Sequence, residues 1–555
     1  MPRITGGRAV VERLLAHGVR HVFGLPGSSV QDVLDALVDR PQIDFILALQ
    51  EGSLISMADG YARACGRPAF VLVHMLPGTA NLVGGLYNAR RDGSPLVVAS
   101  GQQDTRLLGR GAFTDTSDMV EVVRQFTKWA WEVPRADRMA EAVDRALYIA
   151  MTPPRGPVYL ALPKDLLHEE AEIPLPVVHP PPAAFGPDPE AADRAAAALL
   201  AAERPLIVCG SGVFTARAVE DLVELADLLA APVVSEPWNA FLSFPTAHPL
   251  SFGRFSAESP LYRRADVLLG VGARLFMEAD FAHGIPRPPG ARLIQCHEDA
   301  TELGKTHPVD IALLCDARSG LRALLARLRS RVADAERRDH LAKEQESRRA
   351  EMGELRREGG SRPVKPWRLV QEIDAVKGSD GVVVDDSITG RGYLETLLTF
   401  ERPAFFSVSS GCIGWGLPAA LGVQLAWPDR RVFACCGDGS LVMSVQALWT
   451  AARYRLPVVA VVFNNRGYVS VKAPLHWLEG RAAKTGTYFG VDLTPPDLDF
   501  IQLAKGFGVA GRRVEDPEEI RSALEEALAA GEPRLVEVLT DPRETGYGLP
   551  PLPAR

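Results

Sequence analysis

The stretch RRVFACCGDGSLVMSVQALWTAARYRLPVVAVVFNNRGY, residues 430–468, decides the fold. An apolar run leads into Gly437-Asp438-Gly439-Ser440, a helical pattern follows, and a second apolar run leads into Asn464-Asn465. Short apolar runs that alternate with helices and end in turn residues are typical of strands in a parallel sheet. Asp438 and Asn465 lie 27 positions apart, about the length of one strand–helix–strand unit. We therefore expect both residues at one edge of a sheet, on neighbouring strand ends.

The residue types at these two strand ends suit a metal ion and a phosphate group. The carboxylate of Asp438 and the amide oxygen of Asn465 are hard ligands of the kind that Mg²⁺ prefers. Gly437 and Gly439 let the backbone approach a ligand closely, and a helix that begins after Ser440 would offer free N–H groups to a diphosphate. The alternative is an ordinary turn followed by an ordinary loop. Because the GDGS run and the Asn464-Asn465 pair both occur, at this spacing, the sequence favours a site for a diphosphate and a metal ion.

Two composition breaks divide the 555 residues into three blocks. Residues 173–189 are too rich in proline for a helix or a central strand, and the charged residues 329–363 are expected to begin as a solvated helix. Strand-like runs recur in every block, among them AFVLVHM, PLVVASG and PVYLALP, then RPLIVCG, APVVSE, ADVLLGVG and ARLIQC, then GVVVDD and RLVEVLT. These patterns predict an α/β protein of three doubly wound parallel-sheet domains, at residues 1–175, 190–330 and 363–555.

Composition excludes several classes of protein. The net charge of −8 is mild and gives no reason to expect a nucleic acid or an anionic membrane as a partner. The seven cysteines are odd in number and irregularly spaced, without a CxxC, which argues against a disulfide framework and a structural zinc site. No apolar run approaches the roughly 18 residues of a membrane span. We expect a soluble, cytoplasmic protein.

Residues 430–468 resemble the signature of the thiamine-diphosphate-dependent enzymes, the superfamily of 2-oxo acid decarboxylases and acetolactate synthases. The resemblance implies thiamine diphosphate and Mg²⁺ as cofactors. It implies Asp438 and Asn465 as side-chain ligands of the metal and the backbone carbonyl of Gly467 as a third ligand. Tyr468 would lie beside the diphosphate. The three domains would then be a pyrimidine-binding, a middle and a diphosphate-binding domain.

The segment FILALQEGSLISMADGYARACGRPAF, residues 45–70, contains the candidate acid–base residue Glu51. Alone, Glu51 is best explained as an acidic residue at a helix N-terminus. The segment nevertheless matches the family's strand–Glu–helix–GYAR pattern, which implies that Glu51 activates the aminopyrimidine ring. A carboxylate in a dry pocket suits that task, because desolvation raises its pKa toward neutrality. In this family the pyrimidine domain of one subunit faces the diphosphate domain of another, so the resemblance implies a homodimer or a homotetramer.

The segment FFSVSSGCIGWGLPAALGVQLA, residues 405–426, precedes the GDGS run. Small residues crowd around the branched Ile413, so the backbone can approach a ligand there. The resemblance makes Ile413 the wedge that bends the cofactor into a V shape, and makes the carbonyl of Gly411 a hydrogen-bond acceptor for the aminopyrimidine. Core packing is the alternative for Ile413. Asp386 and Ser387, after the strand-like run GVVVD, are expected at a cofactor or substrate edge, where close relatives carry Glu-Ser.

The whole chain looks most similar to the benzoylformate decarboxylases, which implies attack by the cofactor ylid on a 2-oxo acid and loss of CO₂. In this comparison Ser28, after Gly27, contacts the substrate carboxylate. His74, at the end of a strand, serves in proton transfer, for which its near-neutral pKa is suited. The alternative for a lone histidine is a structural role.

This chain departs from the benzoylformate decarboxylases in the expected substrate pocket. Ala279 falls where those enzymes have a second active-site histidine, with Glu278 and His283 close by. Phe113-Thr114 replaces a leucine pair, and Ala473-Pro474 replaces larger rings. Loss of one acid–base group leaves the cofactor's carbanion free to react with an aldehyde or ketone acceptor. A carboligase therefore stays open beside the decarboxylase.

Three other functions are possible for a chain with these residues. An acetolactate-synthase-like ligase is the nearest, and many of those enzymes also bind FAD in the middle domain, for which no convincing motif occurs here. A non-catalytic homologue is disfavoured because Glu51, Asp438 and Asn465 are all present. A nicotinamide dehydrogenase is disfavoured because Gly210-Ser211-Gly212 lacks the third glycine of a dinucleotide fingerprint, and no P-loop motif occurs either.

Overall fold

A computed structural model describes residues 2–116, 118–181, 184–278, 284–329, 341–342, 344–346 and 360–553. The described residues form three six-stranded parallel sheets and one two-stranded antiparallel ribbon. The predicted fold class, α/β with three doubly wound parallel sheets, is confirmed. Most of the charged segment in which a solvated helix was expected lies outside the described residues.

The first sheet has the strand order β3-β2-β4-β5-β7-β6, and β1 and β8 pair as the antiparallel ribbon. Its strands are β1 Arg3–Thr5, β2 His21–Leu25, β3 Asp44–Leu47, β4 Ala69–His74, β5 Leu96–Gln102, β6 Trp129–Glu132, β7 Val158–Pro163 and β8 Glu170–Glu172. Its helices are α1 Gly6–Ala16, α2 Gln31–Val38, α3 Glu51–Cys65, α4 Met75–Asn81, α5 Val83–Arg91, α6 Met119–Val123, α7 Met139–Met151 and α8 Lys164–His168, with short 3₁₀ turns at Ser28–Val30, Arg124–Phe126 and Ala136–Arg138.

The second sheet has the order β11-β10-β9-β12-β13-β14 and a hydrophobic core of its own. Its strands are β9 Pro205–Cys209, β10 Val233–Ser235, β11 Ser251–Arg254, β12 Val267–Val271, β13 Arg292–His297 and β14 Ile311–Leu314. Its helices are α9 Pro189–Ala201, α10 Ser211–Thr215, α11 Val219–Leu229, α12 Pro260–Arg263 and α13 Ala317–Leu328, with a 3₁₀ turn at Ala300–Glu302.

The third sheet has the order β16-β15-β17-β18-β20-β19. Its strands are β15 Val382–Asp386, β16 Phe405–Phe406, β17 Val432–Gly437, β18 Val459–Asn464, β19 Ala510–Val514 and β20 Arg534–Leu539. Its helices are α14 Pro366–Lys377, α15 Arg391–Leu397, α16 Gly416–Ala426, α17 Asp438–Met443, α18 Ala447–Arg453, α19 Val469–Trp477, α20 Arg481–Thr485, α21 Phe500–Gly506 and α22 Ile520–Ala529, with a 3₁₀ turn at Pro517–Glu519.

The strand-like runs identified in the sequence are strands in the structure, and they form the centres of the three sheets. Strands β5, β7 and β18 are buried along their whole length. Continuous apolar runs are required there because helices cover both faces of a parallel sheet. Strand β17 pairs in parallel with β18, which places Asp438 and Asn465 beyond neighbouring strand ends, as predicted.

One detail around Asp438 differs from the prediction. The helix after β17 begins at Asp438 itself, not after Ser440, and a second helix, α18, replaces a continuous one. Asp438 Oδ1 accepts a hydrogen bond from the N–H of Gly439, the next residue, at 2.8 Å. The N–H groups of Gly439 and Ser440 therefore lie in the first helical turn.

Helix α3 of the first domain packs tightly on helix α16 of the third. A Cβ atom on Gly60 would lie 2.2 Å from the carbonyl oxygen of Ala419, and one on Gly422 would lie 1.9 Å from that of Met57. Only glycine permits backbones to approach this closely. Around this contact one continuous apolar core joins the first and third domains.

In the part of the chain that the structure describes, no helix combines the length and the apolar character that crossing a membrane requires.

We predict that Gly422→Ala destabilises the folded chain. The added methyl group meets backbone on α3, which cannot move aside as a flexible side chain would, and such overpacking costs about 1–3 kcal/mol or more. Thermal unfolding measures the effect. Gly506→Ala in α21 is the matched control, because no atom lies within 4 Å of its Cβ position. An unchanged melting temperature for Gly422→Ala would contradict the close packing.

Candidate active site

The carboxyl ends of β17 and β18 bring the candidate metal ligands together. The backbone N–H of Gly467 donates to Asp438 Oδ2 at 3.0 Å and to Asn465 Oδ1 at 3.2 Å. Both oxygens therefore converge on one point of the loop after β18. Burial raises the pKa of Asp438 to about 6, because the charged form loses its hydration and nearby N–H groups recover only part of it.

Tyr468 lies over Gly439 at the edge of the same site. A Cβ atom on Gly439 would lie 2.3 Å from Cε1 of the Tyr468 ring, so glycine is needed for the ring to pack there. Gly437 faces the backbone of Ser387, whose carbonyl oxygen would lie 3.5 Å from its Cβ position. The structure thus places Gly437, Gly439, Tyr468 and Ser387 around the end of β17.

Asp386 is buried beneath the turn that begins α16. Its Oδ2 atom accepts hydrogen bonds from the N–H groups of Gly414, Trp415 and Gly416 at 2.8, 2.8 and 3.0 Å, and from the hydroxyl of Ser440. Its Oδ1 atom is buried without a hydrogen-bond partner in the described structure. Burial raises the pKa of Asp386 to about 7 despite these donors. The expected contact of Asp386 with a cofactor stays a prediction, as does that of Ser387, whose hydroxyl donates to Asp385 at 2.6 Å.

Ile413 and Gly411 lie in the irregular segment between β16 and α16. Ile413 is half-buried, and Gly411 is exposed with φ +76°, with no atom within 4 Å of its Cβ position. The neighbouring carbonyl of Cys412 accepts a hydrogen bond from Asn88 Nδ2 at 3.0 Å. This hydrogen bond connects the segment to helix α5 of the first domain, whereas Gly411 itself is exposed.

Glu51 is the first residue of α3, directly after the loop that follows β3. Gln50 caps the helix by accepting from the N–H of Ser53 at 2.7 Å. The Glu51 side chain is half-buried in the single chain and accepts from Asn81 Nδ2 at 3.1 Å. Asn81 is a partner that sequence reasoning missed.

His74 is the last residue of β4, and its ring is fixed by a serine. Ser29 Oγ and His74 Nδ1 are 2.8 Å apart, and Ser29 is completely buried. Gly27 makes room for the ring, because a Cβ atom there would lie 2.4 Å from its Cγ. The contact leaves Nε2 as the ring nitrogen available to a substrate. Ser28, the residue predicted to meet the substrate, is exposed.

The remaining predicted pocket residues are spread over three places. Phe113 is 83% exposed, while the hydroxyl of Thr114 contacts the sulfur of Met75, next to His74. Ala473 is buried with Val469 and Leu552, and Pro474 on the same helix, α19, is exposed. Ala279 and His283 lie outside the described residues. Among the members of this group that the structure describes, Thr114 lies next to Met75, the residue that follows His74.

Backbone strain marks the same places without reference to any family. Met75, Thr114, Ile388 and Arg466 have positive φ angles of 42°, 59°, 51° and 62°. Residues with side chains avoid this region of φ. Holding one residue there costs on the order of 1–3 kcal/mol, and such a conformation persists only where the surrounding structure enforces it. These four adjoin His74, Phe113, Ser387 and the Asn465–Gly467 pair. Six other non-glycine residues in the described chain also have positive φ angles, at Arg217, Ala230, Trp238, Phe276, Arg455 and Glu479, so this strain is not confined to the candidate site.

Three family models match the chain. They are described as thiamine pyrophosphate enzyme N-terminal TPP binding domain at residues 4–122, central domain at residues 192–324, and C-terminal TPP binding domain at residues 392–538. The benzoylformate decarboxylase of Pseudomonas aeruginosa is 35% identical, covering 96% of this chain and 98% of its own.

The chain belongs to the thiamine pyrophosphate enzyme family.

Members of this family with two kinds of activity in their names are similar to the chain. The large subunit of acetolactate synthase isozyme 3 from Escherichia coli is 32% identical over 95% of this chain and 93% of its own. The solved thiamine diphosphate-dependent 4-hydroxybenzoylformate decarboxylase of Rhodococcus jostii superposes with a TM-score of 0.86 at 30% identity, covering 97% of this chain and 99% of that one. The family recognised from the GDGS and NN runs is confirmed.

The residues present fit a thiamine pyrophosphate enzyme's metal-bound diphosphate. Among the described residues, no group of three or more His, Cys, Asp and Glu side chains could hold a metal ion. The candidate ligands are instead one carboxylate, one amide and one backbone carbonyl, a hard oxygen set that suits Mg²⁺ completed by diphosphate oxygens and water. Two further features support this fit. The Oδ1 atom of Asp386 is buried without a hydrogen-bond partner in the described structure. At Gly439 the absence of a side chain leaves room for the Tyr468 ring.

We predict that His74 produces an acid limb in the pH profile of kcat. Burial lowers the pKa of His74 below its ordinary value of 6.5, so the ring is neutral at pH 7 and gains its charge only as the pH falls further. If the ring transfers a proton, kcat changes across that acidic range, and His74→Gln abolishes the limb. His168→Gln, at an exposed histidine bonded to Asp32, is the control that keeps it. A limb that survives in His74→Gln would assign it to another group.

Proposed function

We propose that the chain is a thiamine-diphosphate-dependent 2-oxo acid decarboxylase of the benzoylformate decarboxylase type, with carboligation as a second outcome at the same site. The observation that carries the proposal is the fixed histidine at the end of β4. His74 is held through Nδ1 by the buried Ser29, which leaves Nε2 to exchange a proton with a reacting group. The similarity to benzoylformate decarboxylase over nearly the whole chain supports it.

One end of the proposed site holds the cofactor's phosphates. Asp438, Asn465 and the carbonyl of Gly467 would hold Mg²⁺, which would anchor the diphosphate without taking part in bond breaking. The N–H of Ser440, in the first turn of α17, would serve the diphosphate, while the N–H of Gly439 is taken by Asp438. Tyr468 packs over Gly439 at the same end. When bound, the thiazolium ring supplies a nucleophilic carbon and an electron sink.

The other end of the proposed site handles protons and the substrate. Glu51 holds the proton of the aminopyrimidine ring, and Asn81 keeps its carboxylate in place. Ser28 binds the carboxylate of the 2-oxo acid through its hydroxyl. Once CO₂ has left, His74 would pass a proton taken up from solvent to the former carbonyl carbon, so that a 2-oxo acid and one proton become an aldehyde and CO₂. An aldehyde or ketone acceptor competes with that proton and gives a carboligation product.

The alternative is an acetolactate-synthase-like ligase with a flavin in the middle domain. One observation disfavours the flavin. The buried carboxylate of Glu236 accepts from the N–H of Ser211 at 2.9 Å, from its hydroxyl at 3.0 Å and from the N–H of Arg274 at 2.7 Å. These donors lie where a phosphate would bind, at the end of β9. We expect the purified protein to be colourless, whereas a yellow colour would favour the ligase.

The proposed site requires two subunits. Glu51 and the metal ligands lie in different domains, and the family resemblance pairs these domains between subunits. We propose a homodimer or homotetramer with active sites at the interface. A cytoplasmic location stays a prediction.

The proposal predicts CO₂ release from at least one member of a panel of aromatic, branched and straight-chain 2-oxo acids, in the presence of thiamine diphosphate and Mg²⁺. Glu51→Gln lowers kcat by about 100-fold or more, because general acid–base groups contribute about 10²–10⁴. Mass spectrometry, with and without added aldehydes and ketones, identifies the products.

Glu141→Gln is the matched control, because Glu141 forms an exposed ion pair with Arg138 on α7 and such pairs contribute little. Absence of CO₂ from every acid in the panel, or full activity of Glu51→Gln, would contradict the proposal. Carbon–carbon bond formation as the main outcome, with little free aldehyde, would favour the ligase.

A further inference from the structure

The wedge segment, residues 407–416, joins β16 to α16 and carries Gly411 and Ile413. It has no regular secondary structure before α16, and Gly411 and Gly414 have positive φ angles of 76° and 90°. Helical or ladder hydrogen bonds therefore do not fix its shape. Contacts with other parts of the chain must hold it.

One set of contacts comes from the segment's own domain. Asp386 accepts the three N–H groups of Gly414, Trp415 and Gly416, and so fixes the last part of the wedge segment on β15. The same domain also holds Ser407, whose hydroxyl donates to Asp385, and Val408, whose carbonyl accepts from Arg391 Nη1 at 2.8 Å. These hydrogen bonds do not reach residues 409–413. A second anchor is needed for Gly411 and Ile413.

The second set of contacts comes from helices α3 and α5 of the first domain. Arg63 Nη1 donates to the carbonyl of Ser407 at 2.8 Å, and Trp415 Nε1 donates to Asp59 Oδ2 at 2.7 Å. The N–H of Ser409 donates to Asp92 Oδ2 at 3.3 Å, and the Ser409 hydroxyl donates to Asp92 Oδ1. Asn88 on α5 also accepts from the hydroxyl of Ser410 and donates to the carbonyl of Cys412 at 3.0 Å. The first domain thus holds the wedge segment at both ends, at Ser409 and on either side of Gly411.

Asp92 is the charged centre of this second anchor. Its side chain is completely buried, with Arg63 of the first domain at 2.8 Å and Arg274 of the middle domain at 3.5 Å. Burial alone would raise the pKa of Asp92, but the two arginines and Ser409 outweigh it and hold the pKa below its usual value. One carboxylate therefore joins three domains, and its contact in the third is the wedge segment.

We propose that Asp92 is a positioning residue that holds the wedge segment, and with it Ile413 and the Gly411 carbonyl, in the shape that the bent cofactor requires. Asp92 does so through Ser409 and touches neither cofactor nor substrate. This inference rests on the proposed function. Its physical basis is that a segment of small residues without regular hydrogen bonds is positioned only as firmly as its anchors.

Two ligands separate this role from a general effect on the site. Thiamine diphosphate needs both the metal-bound phosphate end and the wedge segment, whereas inorganic pyrophosphate with Mg²⁺ needs only the phosphate end at Asp438 and Asn465. Loss of the anchor should therefore weaken binding of the first ligand and spare the second. A residue that merely stabilises the fold would affect both ligands or neither.

Ser409→Ala is the most specific variant. It removes the hydroxyl that donates to Asp92 and keeps the ion pairs of Asp92 with Arg63 and Arg274. Asp92→Asn keeps the size of the side chain and removes its charge. Asp144→Asn is the matched control: Asp144 pairs with the buried Arg13 at 2.6 Å in the same domain, on helices α1 and α7, without a contact to the wedge segment. All three are made in the full chain.

Quenching of tryptophan fluorescence, to which Trp415 beside Ile413 contributes, measures both dissociation constants. We expect Ser409→Ala and Asp92→Asn to weaken thiamine diphosphate binding by about 10-fold or more, a factor that equals about 1.4 kcal/mol. Pyrophosphate binding in the presence of Mg²⁺ should stay close to that of the wild type, because pyrophosphate needs only the phosphate end at Asp438 and Asn465, and Ser409 and Asp92 do not contact that end. Asp144→Asn should leave both constants unchanged. At saturating cofactor, the KM for the 2-oxo acid should hardly change in Ser409→Ala.

Unchanged thiamine diphosphate binding in Ser409→Ala, or an equal loss for both ligands, would overturn the inference. Ser409→Ala decides the matter if Asp92→Asn does not fold. Failure of the wild-type chain to bind thiamine diphosphate would overturn the proposed function, and the inference with it. Normal binding by the wild type with unaffected variants would overturn the inference alone.

Discussion

The N–H of Gly467 donates to both Asp438 Oδ2 and Asn465 Oδ1. This shared donor holds the two oxygens close together at the ends of two different strands. The two oxygens come from residues 27 positions apart in sequence, brought together because β17 and β18 are parallel neighbours. Two such oxygens converging in a buried place cost desolvation, which the raised pKa of Asp438 reflects. A bound cation would compensate that cost.

The position of the wedge segment, residues 407–416, depends on how closely α3 approaches α16. Glycines at Gly60 and Gly422 remove the side chains that would separate the helices, and Glu51 begins the same α3 whose later turns carry Asp59 and Arg63. The GYAR run therefore has a packing role as well as a place in a family pattern. It ties the first domain to the wedge segment of the same chain. In the proposed dimer, Glu51 at the start of the same helix would reach the cofactor of the other subunit.

The sequence predicted what depends on local pattern and failed where contacts cross between domains. Central strands such as β5 and β18 were identifiable because burial on both faces demands unbroken apolar runs. The edge strands β11, β14 and β19 and the ribbon of β1 with β8 were not, since they are short or only partly buried. Asp438 and Asn465 could be paired because their spacing equals one strand–helix–strand unit.

Ser29, Asn81 and Asp92 could not be found in this way. Each acts on a residue tens or hundreds of positions away, as Asp92 does on Ser409, and no periodicity encodes such a contact. Ser28 and Ser29 are adjacent serines in one 3₁₀ turn, so a pattern cannot tell which one turns inward to His74. The buried acceptor role of Asp386 was equally hidden, because it depends on three N–H groups from another segment.

The most direct test of the account is a crystal structure of the chain grown with thiamine diphosphate and Mn²⁺, whose anomalous scattering locates the metal. We predict one ion per chain, coordinated by the Asp438 carboxylate, the Asn465 amide oxygen and the Gly467 carbonyl, with diphosphate oxygens completing the shell. An ion bound elsewhere, or Asp438 and Asn465 too far apart to share it, would contradict the account.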